Sequence, residues 1–182
     1  SNNLQIIPPW QKIKNKSIKN VIIEPGAGFG TGSHPTTKLC LNWIEENNIN
    51  NKSLIDYGSG SGILAIVAKL HGATNVVGTE IDKKAIDNAM LNCKMNNIQI
   101  PFIDLNKTGI YKKFDILIAN ILSNTLIQLS TTFKSLAKKK IILSGILDKQ
   151  VRDVIDAYSN WIILKQTKNL EGWNLLEGKI IA

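Results

Sequence analysis

Asp56-Tyr57-Gly58-Ser59-Gly60-Ser61-Gly62 is the stretch on which the fold turns. It completes an apolar run, Ser53-Leu54-Ile55-Asp56-Tyr57, that reads as a strand. It leads into Ile63, Leu64, Ile66, Val67 and Leu70, spaced as the inner stripe of a helix. Glycine lets a chain turn sharply and lets a ligand approach the backbone closely. The dinucleotide fingerprint G-x-G-x-x-G would need glycine where Ile63 stands, and no Gly-Lys-Ser/Thr ending marks a P-loop. What remains is acid-x-Gly-x-Gly-x-Gly between a strand and a helix.

The alternation continues outward from this loop. Residues 1 to 20, around Pro8-Pro9-Trp10, read as an irregular lead-in, and 21 to 182 as one domain. Val21-Ile22-Ile23 reads as a short strand before the glycine-dense stretch from Pro25 to Ser33. A helix is expected from Pro35, because proline suits the first helical position, with Leu39, Cys40, Trp43 and Ile44 inward. Further strands are expected at Asn75 to Thr79, Ile98 to Ile103, Phe114 to Ala119 and Lys140 to Ser144. Helical stripes lie at Ala85, Ile86, Ala89, Met90 and Cys93, at Leu126, Leu129, Phe133 and Leu136, and at Val151, Val154, Ile155 and Tyr158. Trp161 to Thr167 and Trp173 to Ile181 read as a closing hairpin. The expected fold class is therefore α/β, with a mostly parallel seven-stranded sheet, an antiparallel C-terminal hairpin and helices on both faces.

Ligands of such sheets bind beyond the carboxyl ends of the strands, where the strand order reverses. Asp56 and the glycines Gly58 and Gly60 end the first core strand. Glu80 ends the next, where a carboxylate can accept the hydroxyl protons of a ribose. Asp104 ends the one after, within reach of an adenine edge. Asn120 ends the fourth. Polar strand ends in consecutive units point to a nucleoside-containing ligand.

The 182 residues carry 22 Lys+Arg against 14 Asp+Glu, a formal charge of +8, and 43% are hydrophobic. This balance fits a globular domain rather than a disordered chain. Two cysteines cannot make a disulfide framework and form no Cys-x-x-Cys pair, which suggests a reducing, cytoplasmic setting. No apolar run has the ~18 residues of a membrane span. The sequence is crowded with Ile, Asn and Lys, as A/T-rich coding would supply. Runs such as Lys138-Lys139-Lys140 therefore read as solvated charge, and direct nucleic-acid binding is not expected.

Asp56-x-Gly58-x-Gly60-x-Gly62 with Glu80 resembles the S-adenosylmethionine site of class I, Rossmann-like methyltransferases. Pro25-Gly26-Ala27-Gly28-Phe29-Gly30-Thr31-Gly32-Ser33-His34-Pro35-Thr36-Thr37 resembles the signature loop of the ribosomal protein L11 methyltransferase (PrmA) family. So do the segments from Gly58 to Ile66, Ala119 to Leu122 and Ser144 to Leu147, in order along the chain. The resemblance implies that Thr37, Gly58, Glu80 and Asn120 contact S-adenosylmethionine, that the loop Phe29-Gly30-Thr31 lies over it, and that the substrate is a ribosomal protein, expected from the large subunit. Transfer of an already activated methyl group requires no metal, and no membrane partner is expected. Glu80 stands where the family commonly has Asp, and Glu24 and Ala27-Gly28 also depart from its pattern. The family normally has a separate amino-terminal domain that captures the substrate. Only a short lead-in precedes the core here, so the chain reads as a fragment or a core-only relative.

Within this resemblance Asn120 is the expected catalytic residue. Its side-chain oxygen and the Ile121 carbonyl can accept hydrogen bonds from a substrate amine. His34 reads as structural or as a lid anchor rather than a general base, His71 as a partner of a helix dipole, and Cys40 and Cys93 as core residues. Two alternatives stand beside amine methylation of a ribosomal protein. One is a nucleic-acid methyltransferase, although the aromatic that would stack on a flipped base after Asn120 is missing. The other is a cofactor-binding pseudoenzyme.

Overall fold

The structure is a computed structural model and describes residues 4–12, 17–24 and 32–180. Its centre is a sheet of seven strands: β3 (Ser53–Tyr57), β4 (Thr74–Glu80), β5 (Phe102–Asp104), β6 (Phe114–Asn120), β7 (Ala137–Leu147), β8 (Ile163–Leu170) and β9 (Trp173–Lys179). Their order is β5-β4-β3-β6-β7-β9-β8. The first five are parallel, and β9 pairs antiparallel with both β7 and β8. The order reverses between β3 and β6, so the crevice beyond their carboxyl ends is the switch point. The expected fold class is observed.

The strands are apolar on both sides because both faces are covered. Leu54, Ile116, Ile118 and Ile142 point into one core with α1 (Pro35–Glu46), α2 (Ile63–Leu70) and α3 (Lys83–Met95). Their neighbours Ile55, Leu117, Ala119 and Ile141 point into the other. There they meet α4 (Ser123–Gln128), α5 (Ser130–Leu136) and α6 (Val151–Tyr158), with Leu126, Phe133 and Tyr158 fully buried. The hairpin turn, Glu171-Gly172, has both residues at positive φ (55° and 78°), as a two-residue type I′ turn requires.

Several expectations need correction. The segment read as an irregular lead-in contains β1 (Leu4–Ile7), which pairs in parallel with β2 (Lys19–Ile22) in a separate two-stranded sheet. A division at residue 20 falls inside β2. The strand expected from Ile98 to Ile103 shortens to β5. The stripe from Leu126 to Leu136 is two short helices rather than one, and Met90 is 57% exposed rather than inward. The strand expected at Lys140 to Ser144 extends over all of β7.

Polar side chains on the inner face and at the C-cap of α3 tie these layers together. Asn96 exchanges two hydrogen bonds with the backbone of Ile22, at 2.9 and 2.7 Å. Asn92 is fully buried, accepts from the Glu24 N–H at 2.8 Å and donates to the Ser61 carbonyl at 2.9 Å. It therefore clamps the glycine loop to the chain leaving β2. Asn92→Ala leaves a buried donor and acceptor without partners. It is expected to lower stability by about 1–3 kcal/mol, read as a lower urea midpoint.

Candidate active site

Each strand delivers a different group to the switch point because each ends at the same level. The first turn of α2 pins the loop after β3: Ala65 N–H donates to Asp56 Oδ2 at 3.0 Å. Gly58, Gly60 and Gly62 all have positive φ, at 74°, 52° and 78°. That run of left-handed residues folds the loop into a cradle. Gly58 and Ser59 N–H groups both donate to the Thr79 carbonyl, at 2.9 and 2.8 Å, which docks the loop on β4. The Gly58 amide is thereby used internally, and its contribution to a ligand is its bare α-carbon.

The crevice above is a cavity of about 770 Å³, within the range of small-molecule sites. Thr37, Asp56, Gly58, Gly60, Glu80 and Asn120 all line it. The Glu80 carboxylate is fixed by three backbone donors: Gly60 at 3.0 Å, Ile81 at 2.8 Å and Asp82 at 3.2 Å. A carboxylate has about four acceptor positions. Glu80 is thus a rigid acceptor with part of its capacity left for a ligand hydroxyl.

Asn120 reaches across to α1 and donates from Nδ2 to Thr37 Oγ1 at 3.3 Å. This contact joins the first turn of α1 to the end of β6. Asn120 is not a helix cap, since Leu122 occupies the N-cap position of α4. The backbone just after Asn120 passes between two glycines. A Cβ on Gly58 would stand 2.5 Å from Ile121 Cγ2, and one on Gly145 would stand 2.2 Å from the Ile121 carbonyl oxygen. Both positions also have positive φ, at 74° and 88°.

Two polar atoms in the cavity wall are buried without a hydrogen-bond partner: Asp56 Oδ1 and Ser59 Oγ. A third orphan, Thr79 Oγ1, lies just behind on β4. Burial pushes the Asp56 carboxyl up to about 7; the Ala65 N–H partly opposes this and the charge of Glu80 adds to it. A cationic ligand group in the cavity would offset that penalty through its charge. The set fits a nucleoside bearing a cationic amino-acid end.

Asp104 does not line the cavity. Its carboxylate accepts from the Asn106 N–H at 3.0 Å and pairs with Lys107 at 3.5 Å, and Leu105 takes the wall position instead. Phe29, Gly30 and Thr31 lie outside the described residues. His34 lines the cavity, but its Nδ1 accepts from the Thr36 N–H at 3.4 Å as the N-cap of α1. Its ring meets Trp173 edge to face, with centroids 5.0 Å apart. Trp173, Ile121, Leu122 and Leu129 form an apolar side of the cavity that the sequence did not announce. Cys40 and Cys93 are buried and free, and burial raises both thiols, Cys93 to about 11. Among the described residues no cluster of metal-ligating side chains occurs and no helix is long and apolar enough to cross a membrane.

The sheet order, the glycine cradle at its switch point and the acceptor at the end of β4 define the fold of class I methyltransferases. Within that class the match is specific: a family model described as ribosomal protein L11 methyltransferase (PrmA) matches residues 1–180, and the chain belongs to this family. A ribosomal protein L11 methyltransferase of Dechloromonas aromatica is 41% identical over 180 residues, covering 98% of this chain and 60% of the relative. One from Shewanella sp. strain W3-18-1 is 38% identical, over 98% of this chain and 62% of the relative. The chain thus spans about 60% of the length of these relatives. A crystal structure of a ribosomal protein L11 methylase from Lactobacillus delbrueckii superposes with a TM-score of 0.89 at 29% identity, covering 100% of this chain and 96% of that one.

Two predictions come from this geometry. The raised Asp56 carboxyl means that the folded protein holds a proton that the unfolded chain releases at lower pH. Its contribution to stability is fully present below about 4 and is lost as pH rises through about 7. Asp56→Asn should flatten the fall of Tm across that window relative to the parent, and parallel curves would rule out the proton uptake. Gly145→Ala should cost about 1–3 kcal/mol in chemical denaturation, because it combines an unfavourable φ with a clash against backbone.

Proposed function

We propose that this chain is the catalytic domain of an S-adenosylmethionine-dependent methyltransferase that modifies amino groups of a ribosomal protein of the large subunit. The observation that carries the reading is the Asn120 amide, anchored on Thr37 at the mouth of the glycine-loop cavity, in a chain that matches the family over residues 1–180. The donor, when bound, supplies a methyl group already activated on a positive sulfur.

The protein's part is then binding and alignment, which account for most of the acceleration in such a reaction. Glu80 accepts from a ribose hydroxyl, and its three backbone donors keep it from swinging away. The buried Asp56 carboxylate behind the glycine loop favours the cationic end of the donor through its charge. Asn120 spends its N–H₂ on Thr37, which leaves its carbonyl oxygen directed to accept from a substrate amine. Gly145, lacking Cβ, permits the close approach of the Ile121 carbonyl, which serves as the second acceptor. Two acceptors on the amine hydrogens aim its lone pair along the transfer axis. Trp173 and Leu122 supply the apolar surface for an alkyl side chain and shield the site from water.

A free lysine amine titrates near about 10.4, and only its neutral form has the lone pair. The single-turnover rate is therefore expected to rise with pH through the neutral range, by up to tenfold per unit. Asn120→Ala is expected to lower kcat by about 10²-fold while the Kd for the donor, read by calorimetry, changes far less. Equal loss of both would make Asn120 a cofactor contact alone. Assay of methyl transfer to ribosomal protein L11, free RNA and bulk lysate tests the substrate. Transfer to RNA alone would reassign the enzyme, and donor binding with no transfer to any of them would make it a binding module.

A further inference from the structure

The end of the sheet opposite the cavity gathers lysines that the methyl-transfer reading does not use. The adjacent strands β3, β6, β7 and β9 all present them there. Lys52 precedes β3, Lys112-Lys113 precedes β6, Lys138-Lys139-Lys140 opens β7, and Lys179 ends the antiparallel β9. Strands stand ~4.8 Å apart, so this row is ~15 Å wide. The ladder even places Lys140 and Lys179 directly opposite each other, an arrangement of like charges that disfavours the pair.

Two carboxylates offset this charge. Lys139 pairs with Asp115 at 3.0 Å and Lys140 with Glu177 at 2.7 Å. Lys52, Lys113, Lys138 and Lys179 make no ion pair among the described residues. Lys52, Lys139, Lys140 and Lys179 wall a concavity of about 190 Å³, with Asp115, Asn47 and Asn48 also in its lining. Tyr111 stands beside Lys112-Lys113 at the same end of the sheet and is 95% exposed. Lysine ammoniums act as point charges for phosphate. An exposed aromatic among them is the combination that stacks a base while the backbone follows the charge.

We propose that this end of the molecule binds single-stranded nucleic acid, with the lysine row on the phosphates and Tyr111 stacked on a base. The site is remote from the cavity and needs no donor, so its test is independent of the methyl-transfer reading. The measurement is fluorescence anisotropy of labelled twelve-nucleotide oligouridylate and oligothymidylate with the full chain, without S-adenosylmethionine, across 25–200 mM salt. Binding of either oligomer, weakening linearly in log salt, is expected. The double substitution Lys138→Gln with Lys179→Gln should make that slope shallower by about 1.4, since each phosphate contact contributes about 0.7 for single strands. Tyr111→Ala should weaken binding about 5- to 100-fold at any one salt and leave the slope nearly unchanged. All three positions are exposed, and an unchanged Tm checks the fold. Failure of both oligomers to bind at 50 mM salt overturns the proposal. So does binding indifferent to both variants, or binding only to vesicles containing phosphatidylserine.

Discussion

The close passage of Ile121 between Gly58 and Gly145 is the constraint on which the site depends. Parallel β3, β6 and β7 bring three strand ends together, and side chains on all three would fill the crevice between them. A Cβ at Gly58 or Gly145 would fall 2.5 or 2.2 Å from Ile121. With bare α-carbons at both places, the chain leaving β6 can run low across the sheet edge. Asn120 is then close enough to α1 to bond Thr37, and α4 can start immediately afterwards. The cavity is bounded by that path on one side and by the glycine cradle on the other.

Electrostatics adds a second constraint. The same packing that buries Asp56 leaves one of its oxygens without a donor, and the backbone bond from Ala65 offsets only part of the desolvation. Asp56 therefore carries a local desolvation penalty that the charge of a cationic group offsets. Glu80 shows the opposite arrangement: three amides hold it in place, so it is preorganised before anything binds. One carboxylate is poised to respond to charge and the other to fix position. Their difference comes first from burial, complete at Asp56 and partial at Glu80, and then from the number of backbone donors at each strand end.

The sequence made the central architecture readable because its apolar runs were long and separated by glycine. Ser53–Tyr57 and Ile63–Leu70 have the boundaries read from pattern alone. Short or polar elements were not visible. β1 has four residues, and its partner β2 lies beyond the segment around Pro8-Pro9, so it carries no local period. Met90 fits a helical stripe, yet α3 turns Asn92 inward instead because its amide has two backbone partners to satisfy. Asp104 sits at a strand end like Glu80, but β5 is three residues long and the following turn claims the carboxylate. Thr37, Asp56, Gly58, Gly60, Glu80 and Asn120 do converge on the cavity. Trp173 and His34 come from opposite ends of the chain and meet only through the insertion of β9 beside β7.

Part of the lysine distribution follows from the directionality of the fold. Helices running back along a parallel sheet place their C-terminal, partially negative ends at the amino ends of the strands, where lysine is favoured. Lys69, Lys94 and Lys134 occupy the last turns of α2, α3 and α5 and meet that need. The lysines at 52, 112, 113, 138 and 179 do not lie on helix ends. They extend a row along the sheet edge, and the ladder brings two of the row's lysines face to face. Helix dipoles therefore account for the first group and not for the second. Coding bias alone would scatter lysine over all exposed faces, whereas here four neighbouring strands share it at one end. An excess of one sign, aligned across ~15 Å and bordered by an exposed tyrosine, is a surface arranged for a polyanion rather than for water.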